Sequence, residues 1–354
     1  MSTKHVTSTE HVTSTEHVMS TEHVMSTEHV MSTKHVVACQ LPPHESVLPL
    51  LAKVPALGLI GNTPLVRIDA FADRHPGVQL WAKVEYFNPG GSVKDRPVLR
   101  MLAQGIADGR LTPDRTIIDS SSGNAGIAYA MIGGALGYKV EIVIPDNASQ
   151  ERLKRLRAHG AKITHTSAQD GYDEAIREVR RIVAADPGAY FYCDQYSNDG
   201  NWQAHYDGTA NEIWQQTGGA LTHFVYGVGT GGLLTGCGRR LRDLNPDVQV
   251  ELMIPDAFPG VEGLKPLGSP EDHVPEIYDA SLAHRTWDVD VDEAWETSQA
   301  LARAGLFGGQ SSGALVNTAV RVAQDLAAKG QNGLVVTVLP DVGGRYFSTR
   351  LWDA

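Results

Sequence analysis

An α/β protein is the fold class that this 354-residue sequence predicts: two parallel sheets, each covered by helices on both faces, with a cleft between them. Two observations lead there. Short, nearly continuous apolar runs rich in β-branched residues recur along the chain, and segments with helical spacing separate them. Strands buried on both faces read in this way, and parallel strands need a helix-length crossover between them. Length agrees with about two domains, at roughly 100–200 residues for each.

The chain opens on a repeat. Residues 1 to 36 reiterate His-Val-(Met/Thr)-Ser-Thr-(Glu/Lys), which places His5, His11, His17, His23, His29 and His35 at one spacing. A six-residue period fits neither helices nor solenoids, and one modest apolar residue per unit buries too little surface to offset the entropy of ordering. Residues 1–36 are therefore expected to form a disordered tail, with weak metal capture by its histidines as the alternative. Residues 37–58, with Pro42, Pro43 and Pro55, read as a linker or arm. Strands are predicted at 78–86, 116–120, 139–145, 161–166, 190–194, 222–229, 248–255 and 333–340. Helices are predicted from Lys94 to Ala107, Gly123 to Leu136, Gln150 to His159, Asp173 to Ala184, Trp202 to Gln216 and Ala314 to Ala328.

Composition narrows the function classes. A formal net charge of −11 gives no global positive field for nucleic acid or an anionic membrane. Cys39, Cys193 and Cys237 are odd in number and far apart, which gives neither a disulfide framework nor a metal cluster and fits a reducing cytoplasm. No apolar run approaches the roughly 20 residues that span a bilayer. The N-terminus lacks the layout of a secretion signal. A soluble cytoplasmic protein with small-molecule partners is expected.

Three strand-to-helix junctions carry the chemistry. In the first, Asn88 to Arg96, Lys94 stands at the positive end of a helix beside Arg96; both disfavour its ammonium form, so it reads as an amine nucleophile or as an ordinary solvated lysine. The second, Ser120 to Gly126, offers hydroxyls and amides to a carboxylate, or simply caps a helix. The third, Gly227 to Gly232, lets backbone N–H groups approach a phosphate. Its Gly-x-Gly-x-x-Gly spacing also fits a dinucleotide, but no acidic ribose partner is clearly placed about 20 residues on, and phosphate binding alone is the simpler reading.

Five motifs in order resemble the cysteine synthase and cystathionine β-synthase family, closest to its O-phosphoserine-using branch. They are Gly61-Asn62-Thr63-Pro64-Leu65, the block from Asn88 to Arg96 around Lys94, Ser122-Gly123-Asn124, Gly227 to Gly232, and Gly309 to Gly313. The resemblance spans about Leu59 to Thr349. It implies a fold type II pyridoxal-phosphate enzyme, a homodimer, with a larger cofactor-binding domain (59–87 and 200–354) and a smaller substrate-binding domain (88–199). Carried over by position, Lys94 resembles the Schiff-base lysine and catalytic base, and Asn124 the partner of the cofactor's phenolic oxygen. Gly229, Thr230, Gly231 and Gly232 look like the phosphate cup, and Ser311 like the group facing the pyridine nitrogen. Ser121, Ser122, Gly123 and Gln195 match positions that hold the substrate carboxylate. A neutral hydroxyl at Ser311 does not stabilise a pyridinium, which favours β-elimination over a long-lived carbanion. The implied activity is β-replacement on an activated L-serine, O-phosphoserine or O-acetylserine, through an aminoacrylate intermediate.

This sequence departs from the family pattern at Ala125, Leu233, Ile254 and Val342. Losing hydroxyls at Ala125 and Leu233 weakens the grip on carboxylate or phosphate by about 0.5–1.5 kcal/mol per hydrogen bond. Lys265 resembles a cation that meets the substrate phosphate, against the reading of a solvated loop lysine. The incoming group stays open among sulfide, nitrogen nucleophiles as in 2,3-diaminopropionate synthase, and hydroxyurea as in O-ureidoserine synthase. Serine or threonine dehydration and a silent scaffold homologue are the rival readings.

Overall fold

The computed structural model describes residues 35–121, 123–257, 260–267 and 274–353. The repeat lies outside them apart from His35 and Val36, and Ser122 lies outside them too.

Eleven strands form two sheets among these residues. In chain order they are β1 (Val36–Val37), β2 (Leu65–Arg67), β3 (Val78–Val84), β4 (Thr116–Ser120), β5 (Val140–Pro145), β6 (Lys162–Thr166), β7 (Tyr190–Tyr192), β8 (His223–Gly227), β9 (Gln249–Pro255), β10 (Arg285–Val289) and β11 (Gly333–Leu339). The larger sheet runs β1-β2-β3-β11-β8-β9-β10 and the smaller β6-β5-β4-β7. All pairs of the smaller sheet are parallel, as are those from β3 to β10 in the larger. Each sheet buries both faces. Val335 and Val336 on β11 enter different apolar clusters, as do Ile117 and Ile118 on β4. The three-layer αβα expectation holds, and the alternation of Cβ atoms explains why these strands read as unbroken apolar runs.

The helices are α1 (Leu48–Lys53), α2 (Asp95–Ala107), α3 (Asn124–Leu136), α4 (Gln150–Ala158), α5 (Gly171–Ala185), α6 (Asp199–Ala204), α7 (Ala210–Gln216), α8 (Gly232–Leu244), α9 (Val291–Arg303) and α10 (Gln310–Ala328). The structure departs from the sequence expectation at several of these elements. At one margin of the larger sheet β2 runs antiparallel to both β1 and β3; between β2 and β3 the 68–77 connection is shorter than the roughly dozen residues of a parallel crossover. β10 escaped notice because, at the opposite edge, it exposes Arg285, Thr286 and Asp288 and buries only Trp287 and Val289. α8 was hidden by Gly232, Gly236 and Gly238, poor helix formers. Gly236 lies so close to α6 that a Cβ there would stand 2.2 Å from the Trp202 carbonyl oxygen. The single helix expected from Trp202 to Gln216 is α6 and α7 joined by a π-turn at His205–Thr209.

One boundary also shifts. A tail ending at residue 36 cuts through β1, whose Val36 and Val37 pair with Val66 and Leu65. Within residues 37–58, Val47, Leu50 and Leu57 pack with Val98, Leu99 and Leu102 of α2 in an apolar cluster that also holds Ile117 and Ile142 of the smaller sheet.

Candidate active site

Four helix N-termini meet at one cavity of about 600 Å3: Lys94 caps α2, Gly123 and Asn124 open α3, Gly229 and Thr230 lead into α8, and Gln310 opens α10. The first three helices follow the carboxyl ends of β3, β4 and β8, where loops of a parallel sheet gather ligands. Four positive helix ends converging on one space favour an anion there.

Lys94 is held from behind by a buried charge network. Arg96 donates to Glu85 at 2.6 Å and to Glu212 at 2.6 Å, and Lys83 meets Glu212 at 2.7 Å. The Asn62 amide donates to Glu212 at 3.0 Å, Thr63 Oγ1 to Glu85 at 2.7 Å, and the Gly61 amide to Asn88 Oδ1 at 2.9 Å. The Gly61-Asn62-Thr63 motif is thus a structural brace for the lysine loop. Burial pushes the Lys94 amine down to about 8, partly opposed by the carboxylate of Asp341. Arg96 is not a cause of that shift, contrary to the sequence expectation, because its guanidinium is engaged by two carboxylates.

Opposite Lys94, Ser121 Oγ accepts the Gly123 amide at 3.2 Å and the Gly126 amide at 2.7 Å. Gln195 donates to the Ser120 carbonyl at 3.0 Å. The Asn201 amide donates both to the Gln195 carbonyl at 2.7 Å and to Thr230 Oγ1 at 3.0 Å, so it joins the Gln195 segment to the glycine-rich loop, and Gln195 in turn reaches the serine-rich loop. Gly231 adopts a left-handed φ of 84° as the N-cap of α8, and a Cβ on Gly232 would lie 2.0 Å from Asn201 Oδ1, so the close approach of these loops demands glycine.

Of the residues singled out in the sequence, Lys94, Ser121, Gly123, Asn124, Gln195, Gly229, Thr230 and Lys265 line the cavity. Gly231 lines a recess of about 20 Å3 that Lys94, His205 and Leu233 share. Gly232 and Ser311 are buried in the first turns of α8 and α10 without lining either space. Lys265 donates its amide to the Val228 carbonyl at 2.7 Å and lays its ammonium 5.5 Å from the centre of the Tyr196 ring. Of the departures, Ala125 faces the cavity, Leu233 faces the recess, and Ile254 pairs with Asp288 at the end of β9.

Sequence reasoning missed several wall residues and their supports. Arg152 on α4 forms an ion pair with Glu262, whose carboxyl is raised chiefly by burial, and its guanidinium also lies over Tyr346. Gln310 Oε1 accepts the Glu262 amide at 3.3 Å. Asp341 accepts from Asn124 and Tyr346. The one usable signal was position: Asp341 follows the carboxyl end of β11.

Comparison with known proteins agrees with this geometry. The family described as pyridoxal-phosphate dependent enzyme matches residues 56–341. The cysteine synthase of Aquifex aeolicus is 45% identical over 307 residues, 85% of this chain and 93% of that protein. Among solved structures, cysteine synthase from Entamoeba histolytica aligns with a TM-score of 0.80 at 31% identity, covering 89% of this chain and 94% of that one. O-ureido-L-serine synthase aligns with a TM-score of 0.76 at 35% identity, covering 88% and 96%.

Proposed function

We propose that this chain, which belongs to the family of pyridoxal-phosphate-dependent enzymes, catalyses β-replacement on an activated L-serine, as a cysteine synthase does. The observation that carries this reading is a lysine amine lowered to about 8 on the wall where four helix N-termini converge. The chain's residues fit the cofactor. Lys94 supplies the amine that its aldehyde requires, and the glycine-rich start of α8, closed to any Cβ at Gly232, suits a phosphate. On this reading Gly229, Thr230, Gly231 and Gly232 hold the phosphate and Asn124 the phenolic oxygen, and Ser311, buried one residue past the cavity-lining Gln310, is assigned the pyridine nitrogen by the family likeness alone. Bound pyridoxal phosphate supplies an electron-withdrawing ring that stabilises negative charge on the α-carbon of an amino acid.

The remaining chemistry belongs to the protein. Ser121, Ser122, Gly123 and Gln195 hold the substrate carboxylate at the start of α3. Lys94, a base near neutral pH, takes the α-proton as the β-substituent leaves with its bonding electron pair. A nucleophile then adds to the β-carbon, and the Lys94 ammonium returns a proton to the α-carbon. Lys265 faces the leaving group and, as a cation, favours phosphate over acetate. We further propose a cytoplasmic homodimer: Cys39, Cys193 and Cys237 are all unpaired thiols, and Leu59 and Phe87 are large apolar side chains left exposed. Among the described residues, no helix is long and apolar enough to cross a membrane.

Purified protein incubated with O-phosphoserine or O-acetylserine and a panel of nucleophiles, with products read by mass, tests the reading. New β-substituted alanines support it, and their masses identify the nucleophile; the likeness to O-ureido-L-serine synthase makes hydroxyurea a necessary member of the panel. Pyruvate and ammonia alone would replace β-replacement with dehydration.

A further inference from the structure

Asp341 is a fully buried carboxylate where the segments that carry Lys94, Asn124 and Gly309 meet. Its backbone bridges Ser92, two residues before Lys94, and the preceding Pro340 carbonyl accepts the Val93 amide at 2.8 Å. Its own carbonyl accepts the Gly309 amide at 3.1 Å, at the N-cap of the helix that carries Ser311. Through its side chain it reaches the smaller domain: Oδ2 accepts from Asn124 Nδ2 at 2.8 Å and from the Tyr346 hydroxyl at 2.7 Å. Oδ1 is buried without a hydrogen-bond partner, against Gly309, where a Cβ would stand 2.4 Å away. A buried carboxylate with one oxygen doubly bonded and the other unsatisfied is costly unless a positive charge compensates it. Lys94 is the ammonium to which it is electrostatically coupled.

We propose that Asp341 is a positioning residue of the active site, whose carboxylate fixes the Asn124 carboxamide at the cavity wall and serves as counter-charge to the nitrogen of Lys94. A neutral hydrogen-bond acceptor would do the first task and not the second, so the negative charge itself is the functional feature. The charged and titratable groups around it act in a definite order. Tyr346 donates to the carboxylate and so disperses its charge. Glu262, a like charge from the loop after β9, opposes it, and Arg152 from α4 neutralises Glu262 while lying over Tyr346. Tyr226 on β8, whose phenol is pushed up chiefly by burial, also feels the Asp341 charge, and Lys94 is the amine coupled to it.

This inference rests on Lys94 being the cofactor-bearing lysine, and the experiment separates the two. The visible absorption of the holoenzyme is followed against pH in the parent, Asp341→Asn, Tyr346→Phe and Lys94→Ala proteins, with the cofactor dissociation constant measured at each variant's stable pH and folding checked by circular dichroism. In Asp341→Asn, loss of the counter-charge moves the absorbance transition to lower pH by about one unit. Tyr346→Phe leaves the charge in place with one donor fewer, so its transition moves the other way, and this variant carries the test if Asp341→Asn fails to fold. Transitions that stay where the parent's lies in both variants would overturn the counter-charge role, whatever happened to turnover. A Lys94→Ala holoenzyme with the parent's absorbance would instead overturn the assignment of Lys94.

Discussion

Replacing Lys94 with alanine removes both the amine that anchors the cofactor and the base that moves the α-proton, so turnover falls by at least about three orders of magnitude, the usual scale of losing a general base and nucleophile together. Product mass spectrometry and loss of the visible band check this. Lys265 makes a gentler prediction. Its ammonium stands over Tyr196 on the cavity wall, and Lys265→Ala lowers kcat/KM for O-phosphoserine about tenfold or more while sparing O-acetylserine, since only the phosphate dianion needs a cation. Equal losses on both substrates would reduce Lys265 to a structural residue. These two lysines were legible in the sequence because each sits inside a contiguous motif. Asp341 was not, although it touches Asn124: the two are 217 positions apart. The Arg152–Glu262 pair was hidden likewise, joining α4 to a loop beyond β9. No local pattern encodes such contacts. The role expected of Arg96 failed for the same reason, since its carboxylate partner Glu212 lies 116 positions away.

At the scale of elements, β-branched runs revealed eight strands, most clearly in central ones such as β4, β5, β8 and β11, where burial on both faces removes any need for polar alternation. Edge strand β10 and the glycine-rich α8 followed other rules. In α8, close packing against α6 outweighs helix propensity. Gly236→Ala would raise propensity by roughly 1 kcal/mol if the helix stood alone. The added Cβ, however, would meet the Trp202 carbonyl oxygen at 2.2 Å and the Tyr206 amide at 2.9 Å, and backbone atoms cannot step aside as a side-chain tip can. The net effect is a loss of about 1–3 kcal/mol, read as a lower denaturant midpoint, together with weaker cofactor binding because α8 also presents Gly229 to Gly232. A stabilised Gly236→Ala protein would show that α6 and the π-turn yield easily.

Across the whole molecule, buried carboxyls of opposite character set how stability follows pH. Glu212 is held far below its usual range by Arg96 and Lys83 in spite of its burial, so it binds fewer protons folded than unfolded. Its stabilisation is complete above the unfolded value of 4.5 and fades as pH falls below it. Asp119 is the reverse case. Fully buried beneath α3, it accepts Tyr129 OH at 2.7 Å and the Ser120 amide at 2.8 Å, yet burial still raises it from 3.8 to about 7. Asp95 behaves alike, raised to about 7 by burial although the Gly90 amide donates to it. Each binds a proton in the folded state that the unfolded chain has released, so stability declines as pH rises from about 4 to 7. A shift of this size corresponds to a few kcal/mol at most for each group, at about 1.4 kcal/mol per unit. Denaturant unfolding of the parent protein should therefore show a maximum in the mildly acidic range. Asp119→Asn keeps an acceptor for the Tyr129 hydroxyl but has no proton to lose. It flattens the decline between pH 4 and 7 and raises the midpoint at pH 7.5 relative to the parent. Parallel pH profiles for the two proteins would mean that Asp119 ionises without cost, and that water or a shift of α3 solvates it.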